Sequence, residues 1–519
     1  KFYAECRVSG NTYAMVGVFN TGFYGESHFL DQNPQNNTGG WMIYHDGASA
    51  TYSKFNGVTQ SATITDFNEN DIVGLELDAD NGTVKFYVNG SLQTGLGSGG
   101  TVNISAGTGD AFRFWSLNPN GTGTSFIWNF GQDGTFAGTT TAGNNADENG
   151  LGNFKYSPSS GYLAPCSSNL PAPTFDNAED ETPEDYFNTV LYTGNNATTH
   201  SITGVGFQPD FVWGKIRSAN NNHWAADGLR GVSNPTGGRY YILPNSNNTE
   251  VTNTSKIKSF NSDGFSVGSS DQMFNANNET YVAWCWKGSN SSGSTNNDGT
   301  ITTTVNANTD AGFSIVKYVG NGSGYIGHGL GVKPDFFFIK NLDNGSYNWN
   351  AWHNSFTGSQ VIYPNLANSR NDDGNVWAGT LPTATRIRVN NVEVNASGNE
   401  HIAYCFANKE GYCKIGTYVG NGSSDGVFVY TGFRPAWLLL KNLSDSTDWM
   451  IQDNRRLGYN VDNNDLVLNQ SYGEATDDRL DQVSNGFKLR STFSTTNTNG
   501  HTYMYVALAH QPFKYANAR

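Results

Sequence analysis

Apolar and polar residues alternate in short runs through most of the chain, and the runs are bounded by Asn-Gly and Asp-Gly pairs. A period of two marks a strand with one buried face, and Asn-Gly supplies the left-handed backbone that a tight hairpin needs. Lys1–Val8 and Tyr13–Val18 read as the first two strands. Asp71–Asp78, the Asn81-Gly82 turn, Thr83–Val88 and the Asn89-Gly90 pair read as a hairpin. Ala111–Trp115 and Phe126–Gly131 supply later strands. Long amphipathic runs of Leu, Glu, Lys and Ala are missing. The pattern therefore predicts an all-β chain.

After residue 180 one pattern recurs three times. Its opening is Val190–Asn195, Val316–Asn321 and Gly416–Asn421, each carrying Tyr-x-Gly-Asn. A second block follows each opening: Gly206–Phe211, Gly331–Phe336 and Gly432–Trp437. The copies close on Tyr281–Trp286, His401–Phe406 and Tyr505–His510. Copies one and three share Asp263–Val267 and Asn485–Leu489, where copy two has only Ile387–Asn391 nearby. A repeated strand-turn-strand unit suggests an extended string of β modules that displays and binds rather than catalyses. Each unit is long enough to hold its own sandwich core, and one elongated stack is the other packing open to it.

These signals divide the chain. Residues 1–168 form a first sandwich, and 169–186 a Pro-rich acidic linker around Leu170-Pro171-Ala172-Pro173. Residues 187–288, 311–408 and 412–519 are the three modules, with 289–310 a flexible connector rich in Ser, Asn and Gly. Lys1 falls inside a strand without an initiator Met, so processing or a preceding segment is expected. A net charge of −15 argues against unaided binding to nucleic acid or anionic membrane, and no stretch is apolar enough to insert. Aromatics at 13% exclude disorder. Five cysteines, odd and sparse, are no disulfide framework. Cys285 and Cys405 fall at equivalent places, with Ala509 expected there in the third copy, which suits a small buried residue.

The first unit carries a family pattern in Tyr3–Glu5, Gly17-Val18, Gly40-Trp41, Val73–Asp78, Gly82–Gly90 and Trp128–Gly131. On these residues it resembles a SPRY-type, concanavalin-like β-sandwich. The resemblance implies binding of protein, peptide or sugar through edge loops, with no fixed catalytic set. The Tyr-x-Gly-Asn opening, the Gly-Phe-x-Pro-Asp-Phe block at 206–211 and Tyr281–Trp286 resemble modules of uncharacterised structural proteins of marine, cyanophage-like bacteriophages. That resemblance implies a tail fibre, spike or head fibre on the virion surface. Its partners would be other virion proteins and a host cell-surface glycan or protein. Homo-oligomers are expected, a trimer being the form that suits a fibre. Two other readings stay open: an assembly or decoration protein with no host ligand, and a bacterial cell-surface lectin or adhesin.

No local pattern carries chemistry. A nucleophile needs a base beside it, and no Gly-x-Ser-x-Gly elbow is present. His45, His223, His328 and His353 are scattered and read as surface residues. Polysaccharide cleavage would need two carboxylates facing one groove, which sequence cannot pair, and units of this length do not look like β-helix rungs. Asp78, Asp80 and Asn81, and Asp372, Asp373 and Asn375, could be read as calcium ligands, but turn formation accounts for both. No catalytic residue, metal or cofactor is therefore assigned. The binding candidates are Trp349, Trp352, His353 and Trp377, in Asn- and Gly-rich surroundings that suggest exposed aromatics for stacking on sugar or gripping protein.

Overall fold

Wherever the sequence alternates, the computed structural model has antiparallel strands, and its one α-helical stretch among the described residues is the single turn Val392–Asn395. It describes residues 1–10, 13–20, 40–45, 51–55, 58–60, 64–79, 81–104, 112–118, 123–169, 182–230, 239–253, 255–268, 271–289, 292–456 and 464–510. The linker sequence Leu170–Pro173 and Asp80 lie outside these residues. The chain forms two compact units, Lys1–Pro171 and Ala172–Arg519.

The first unit is a two-sheet sandwich. One sheet runs through Ser125–Asn129, Phe2–Ser9, Ile72–Asp78, Thr83–Val88 and Ser91–Leu92, the other through Phe112–Leu117, Ala14–Asn20, Gly40–His45, Thr51–Phe55 and Val58–Gln60. Val8, Leu75 and Phe86 of the first sheet meet Val16, Val18, Trp41 and Ile43 of the second in one core. Asn89 and Gly90 both take positive φ, 48° and 78°, which makes the two-residue turn into Ser91.

The second unit departs from the expected string of beads. The three modules share one core, in which Phe211, Trp213 and Trp286 of module 1 meet Phe336, Phe338 and Phe406 of module 2 and Trp437, Leu439 and Leu508 of module 3. Their contacts run in a closed cycle. The Trp349 indole of module 2 donates to Leu243 O and Ser246 O of module 1, both at 3.1 Å. Trp449 of module 3 donates to Tyr363 O and Leu366 O of module 2, at 3.2 and 3.1 Å. His223 of module 1, at the same place in its module, meets Val467 O of module 3 at 3.0 Å. One backbone bond repeats in the same order: Glu250 N to Leu342 O at 2.9 Å, Arg370 N to Leu443 O at 3.3 Å, Glu474 N to Arg217 O at 2.8 Å. Three equivalent links in cyclic order make a ring with approximate threefold symmetry. Modules 1 and 3 each keep a further core of their own, around Phe265 and Phe487, and turn a second, aromatic face to the axis they share with module 2.

The repeat signature is a clasp. In each copy the Tyr hydroxyl donates to a carbonyl across the module: Tyr192 to Phe274 O, Tyr318 to Val394 O, Tyr418 to Thr496 O. The signature Asn then exchanges hydrogen bonds with a second Asn, as Asn321 N donates to Asn395 Oδ1 and Asn395 Nδ2 donates to Asn321 Oδ1. The Gly between them has no room for a side chain. A Cβ on Gly320 would lie 2.2 Å from Ala396 O. Gly320→Ala is therefore expected to lower stability by about 1–3 kcal/mol, read as a lower urea midpoint with an unchanged slope. The second block divides its work differently. Gly206, Gly331 and Gly432 supply positive φ, while Asp210 and Asp335 hold the chain leaving the closing strand, accepting from Gly288 N and Asn408 N, each at 2.8 Å. Ala436 replaces that Asp in module 3.

Two smaller expectations change. The connector 289–310 is ordered where described: Ser294–Asn296 and Thr303–Asn308 extend the sheet of module 2 beside Phe313–Val319. Asn306 ties it to module 1 by donating to Asp210 Oδ1 at 2.8 Å. The residue equivalent to Cys285 and Cys405 is Ala507, not Ala509, since Val212, Phe337 and Leu438 pair with these three. All five cysteines are free, and burial pushes the Cys405 thiol up to about 12, a structural rather than a reactive state.

Candidate functional site

The four aromatic candidates are not exposed. Trp349, Trp352 and Trp377 are each 1% accessible and His353 is fully buried. Asn350–His353 is a strand paired to Phe336–Asn341, and it is covered on both faces. Trp352 stacks on Phe337 at 5.6 Å, and Trp377 meets that ring edge-on at 5.0 Å. Trp349 turns the other way, into module 1. The flanking asparagines that suggested a wet loop bond within the fold: Asn350 Nδ2 donates to Asn348 O, and Asn348 Oδ1 accepts from Asn365 Nδ2, whose own Oδ1 accepts from Trp349 N at 3.0 Å.

The histidines are corrected likewise, since His45, His223, His328 and His353 are all buried. His223 Nδ1 accepts from the Trp213 indole at 3.1 Å, so Nε2 carries the proton toward Val467 O. Burial holds His223 well below its ordinary pKa, and His353 down at about 3, so both are neutral.

Carboxylate pairs are equally committed. Glu5 and Glu76 share a face of the first unit, because Glu5 pairs with Gly74 and Glu76 with Tyr3. Glu5 accepts from Lys155 N, Tyr156 N, Asn129 Nδ2 and Tyr3 OH. Glu76 accepts from Ser159 N, Tyr87 OH and Lys85 Nζ. They clamp the 153–164 segment over the sheet. Among the described residues no cluster of His, Cys, Asp or Glu could hold a metal ion. Asp78 accepts from Asn81 and from Lys1 Nζ, and Asp373 Oδ1 accepts from Asn375 N, which are turn and ion-pair roles.

Sequence reading missed the polar groups between modules. Asp227 and Asp453 are buried and hold Arg230 and Arg456 at 2.6 Å. Each also accepts from the next module in the cycle, Asp227 from Tyr404 OH at 2.6 Å and Asp453 from the Trp284 indole at 2.9 Å. The recurring Asp-x-x-Arg at 227–230 and 453–456 was the available signal. Module 2 has His353 and Phe356 there instead, and His353 Nδ1 accepts from Ser355 N as Asp227 Oδ1 does from Leu229 N.

Three equivalent lysines, Lys215, Lys340 and Lys441, are fully buried with their ammoniums on carbonyl oxygens, such as Lys441 on Ala367 O and Thr447 O. Burial lowers Lys215 to about 7 and Lys340 and Lys441 to about 8. An unfolded lysine keeps its proton to about 10.4, so between these values the unfolded state binds more protons. Stability therefore rises with pH across this window and is lowest below it. Stability is expected to climb from pH 6.5 to 9.5, by roughly 2–3 kcal/mol per lysine, and Lys215→Met to flatten the climb.

What the fold does not use lies on the outer small sheets. These are His200–Thr203 with Gly264–Val267, Gly324–Gly327 with Arg386–Val389, and Phe428–Tyr430 with Gly486–Leu489. Ile202, Ile326 and Val429 point inward in all three. The outward positions differ. Module 1 has Ser201 opposite Ser266, which is buried and accepts from Asn261 Nδ2, module 2 Tyr325 opposite Arg388, and module 3 Phe428 opposite Lys488. Phe428 and Tyr430 are exposed, at 44% and 63%.

Comparison with known proteins adds the family. No curated protein matches the chain. Among solved structures, the NanB sialidase from Streptococcus pneumoniae aligns at 10% identity over 99% of this chain and 80% of that one, with a TM-score of 0.15. That superposition carries no argument about fold or chemistry. Residues 182–512 match the family described as a domain of unknown function, DUF7483. The match begins at Thr182, which caps the turn entering module 1, and ends just past the closing strand of module 3. It takes in all three modules as one unit and covers more than half of the sequence, so the chain belongs to the DUF7483 family.

Proposed function

We propose that the chain is a non-enzymatic surface protein of a bacteriophage virion, a tail fibre, spike or head fibre component working as a homo-oligomer, that binds a host-surface glycan or protein. The SPRY-like first unit and the phage-like repeat signature motivate this reading. The observation that carries it is the division of labour between the modules' two sides. Positions the three copies share are spent on the clasp, the axis and the inter-module links, while the outward positions of the small sheets differ and carry aromatic and basic side chains. Binding through such faces needs no titrating group. Residual polysaccharide-cleaving activity would need two carboxylates facing one groove, and Glu5 and Glu76 are spent on holding the 153–164 segment.

Electron cryo-microscopy of intact particles tests the reading. Finding the chain at a distal position with the small sheets outward supports it. Finding it between capsomers or tail components with those sheets covered replaces it with an assembly role. Module 3 favours that second reading locally, since Lys488 is paired to Asp425 at 2.8 Å and Arg490 to Asp481. This leaves Phe428 and Tyr430 as an apolar, charge-neutralised patch suited to protein. Finding the protein on a bacterial envelope and absent from particles would make it a cell-surface adhesin.

A further inference from the structure

The outer sheet of module 2 differs from the other two in charge as well as shape. Arg386 and Arg388 stand two apart on one strand, so both project outward while Ile387 and Val389 enter the core. Both guanidiniums lie over the ring of Tyr325, with carbons 4.5 and 5.0 Å from its centroid. Tyr325 is fixed by pairing opposite Arg388 and by its N–H donating to Thr300 Oγ1 at 2.9 Å. Arg388 is aimed by three neutral acceptors, Ser323 Oγ at 2.7 Å, Asn390 Oδ1 at 3.1 Å and Gly324 O at 3.4 Å.

Neither guanidinium has a carboxylate partner among the described residues, in a chain of net charge −15. Arg217, Arg230, Arg456, Arg479 and Arg490 each have one. Nothing in the fold demands the pair, because the equivalents of Arg386 and Arg388 are Gly264 and Ser266 in module 1, and Gly486 and Lys488 in module 3. Two guanidiniums held close together repel unless an anion or an electron-rich ring lies between them. Here the ring supplies part of that compensation and leaves N–H donors facing solvent. The groups bonded to the platform are amides and hydroxyls, those of Thr300, Ser323 and Asn390.

Resting on the binding role above, we infer that this Tyr325–Arg386–Arg388 platform binds an acidic polysaccharide through the carboxylate of a uronate-type sugar. A carboxylate matches the planar guanidinium fork, and the neighbouring Ser323, Asn390 and Thr300 groups match sugar hydroxyls. The overall negative charge disfavours a dense polyanion such as nucleic acid. A polymer compensates for a shallow site by presenting many carboxylates in succession.

The test uses the full chain with polygalacturonate, dextran sulfate and neutral dextran, by affinity electrophoresis at low and high salt. Polygalacturonate is expected to retard the protein, neutral dextran not, and salt to weaken the effect. Arg386→Gln is expected to weaken binding about tenfold, and Arg386→Gln with Arg388→Gln to abolish it. Arg490→Gln, on module 3, should leave it unchanged. Since Arg386 is exposed, an unaltered melting temperature in Arg386→Gln separates lost binding from lost folding. Retardation by dextran sulfate but not polygalacturonate, or binding indifferent to Arg386, overturns the assignment. Host-cell binding by the same protein keeps the two levels apart. If cells are bound and Arg386→Gln binds them equally, the carboxylate site fails and the binding role stands. If no cell is bound, the role itself fails.

Discussion

Asp453→Ala is expected to cost the ring about 3–5 kcal/mol, far more than a typical surface substitution. Asp453 accepts from four donors: Arg455 N at 3.0 Å, Arg456 N at 3.2 Å, Arg456 Nε at 2.6 Å and the Trp284 indole at 2.9 Å. Removing it leaves Arg456 fully buried, with the partly accessible Glu474 as its remaining direct ion pair, at 3.1 Å. It also strands the indole proton of a neighbouring module. The cost is therefore mainly that of an uncompensated buried charge. Asp453→Ala combined with Arg456→Met should recover a large part of the loss, because replacing both partners by apolar groups removes the orphan. Urea denaturation followed by tryptophan fluorescence measures both. Equal stability of the single and double variants would show that the ion pair itself, not the stranded arginine, sets the cost.

Ending the chain after Ala407, so that module 3 is deleted, is expected to abolish folding of the remaining two modules. Phe187, Trp213, Trp284 and Trp286 of module 1 pack on Trp437, with ring centroids 5.7 to 6.5 Å apart. An aromatic side chain covers roughly 150–250 Å², and uncovering several exceeds the whole net stability of a domain. The shortened chain should bind a hydrophobic dye and aggregate. Deleting residues 1–169 should leave the ring folded, since the first unit has its own core. A soluble, cooperatively melting two-module protein would mean that the modules are the independent sandwiches their length suggests.

Strand positions were legible because a sheet face is written locally. Phe2–Ser9, Ile72–Asp78 and Thr83–Val88 stand where alternation and Asn-Gly turns put them. The ring was not legible, because an outward-facing aromatic looks the same whether it meets solvent or a neighbour. Trp349 and His353 illustrate this: their surroundings of Asn read as wet, yet Asn348, Asn350 and Asn354 bond within the fold. The connector reading failed for a related reason, since Ser, Thr and Asn at 294–308 suit an exposed edge strand as well as a flexible loop. The Tyr325 platform could not be found without the register, which alone sets Tyr325 against Arg388.

The approximate threefold ring has a consequence for how such a protein changes over time. Were it built from three separate identical chains, every substitution would be made three times at once, and a residue useful on one face would be imposed on the others. Joined in a single polypeptide, each third mutates alone. The interior stays fixed because each copy needs its neighbours, while one outer sheet holds serines, another a pair of arginines and the third bare aromatics. One gene thus carries three different surfaces on a common frame, and any one of them can change while the other two are kept.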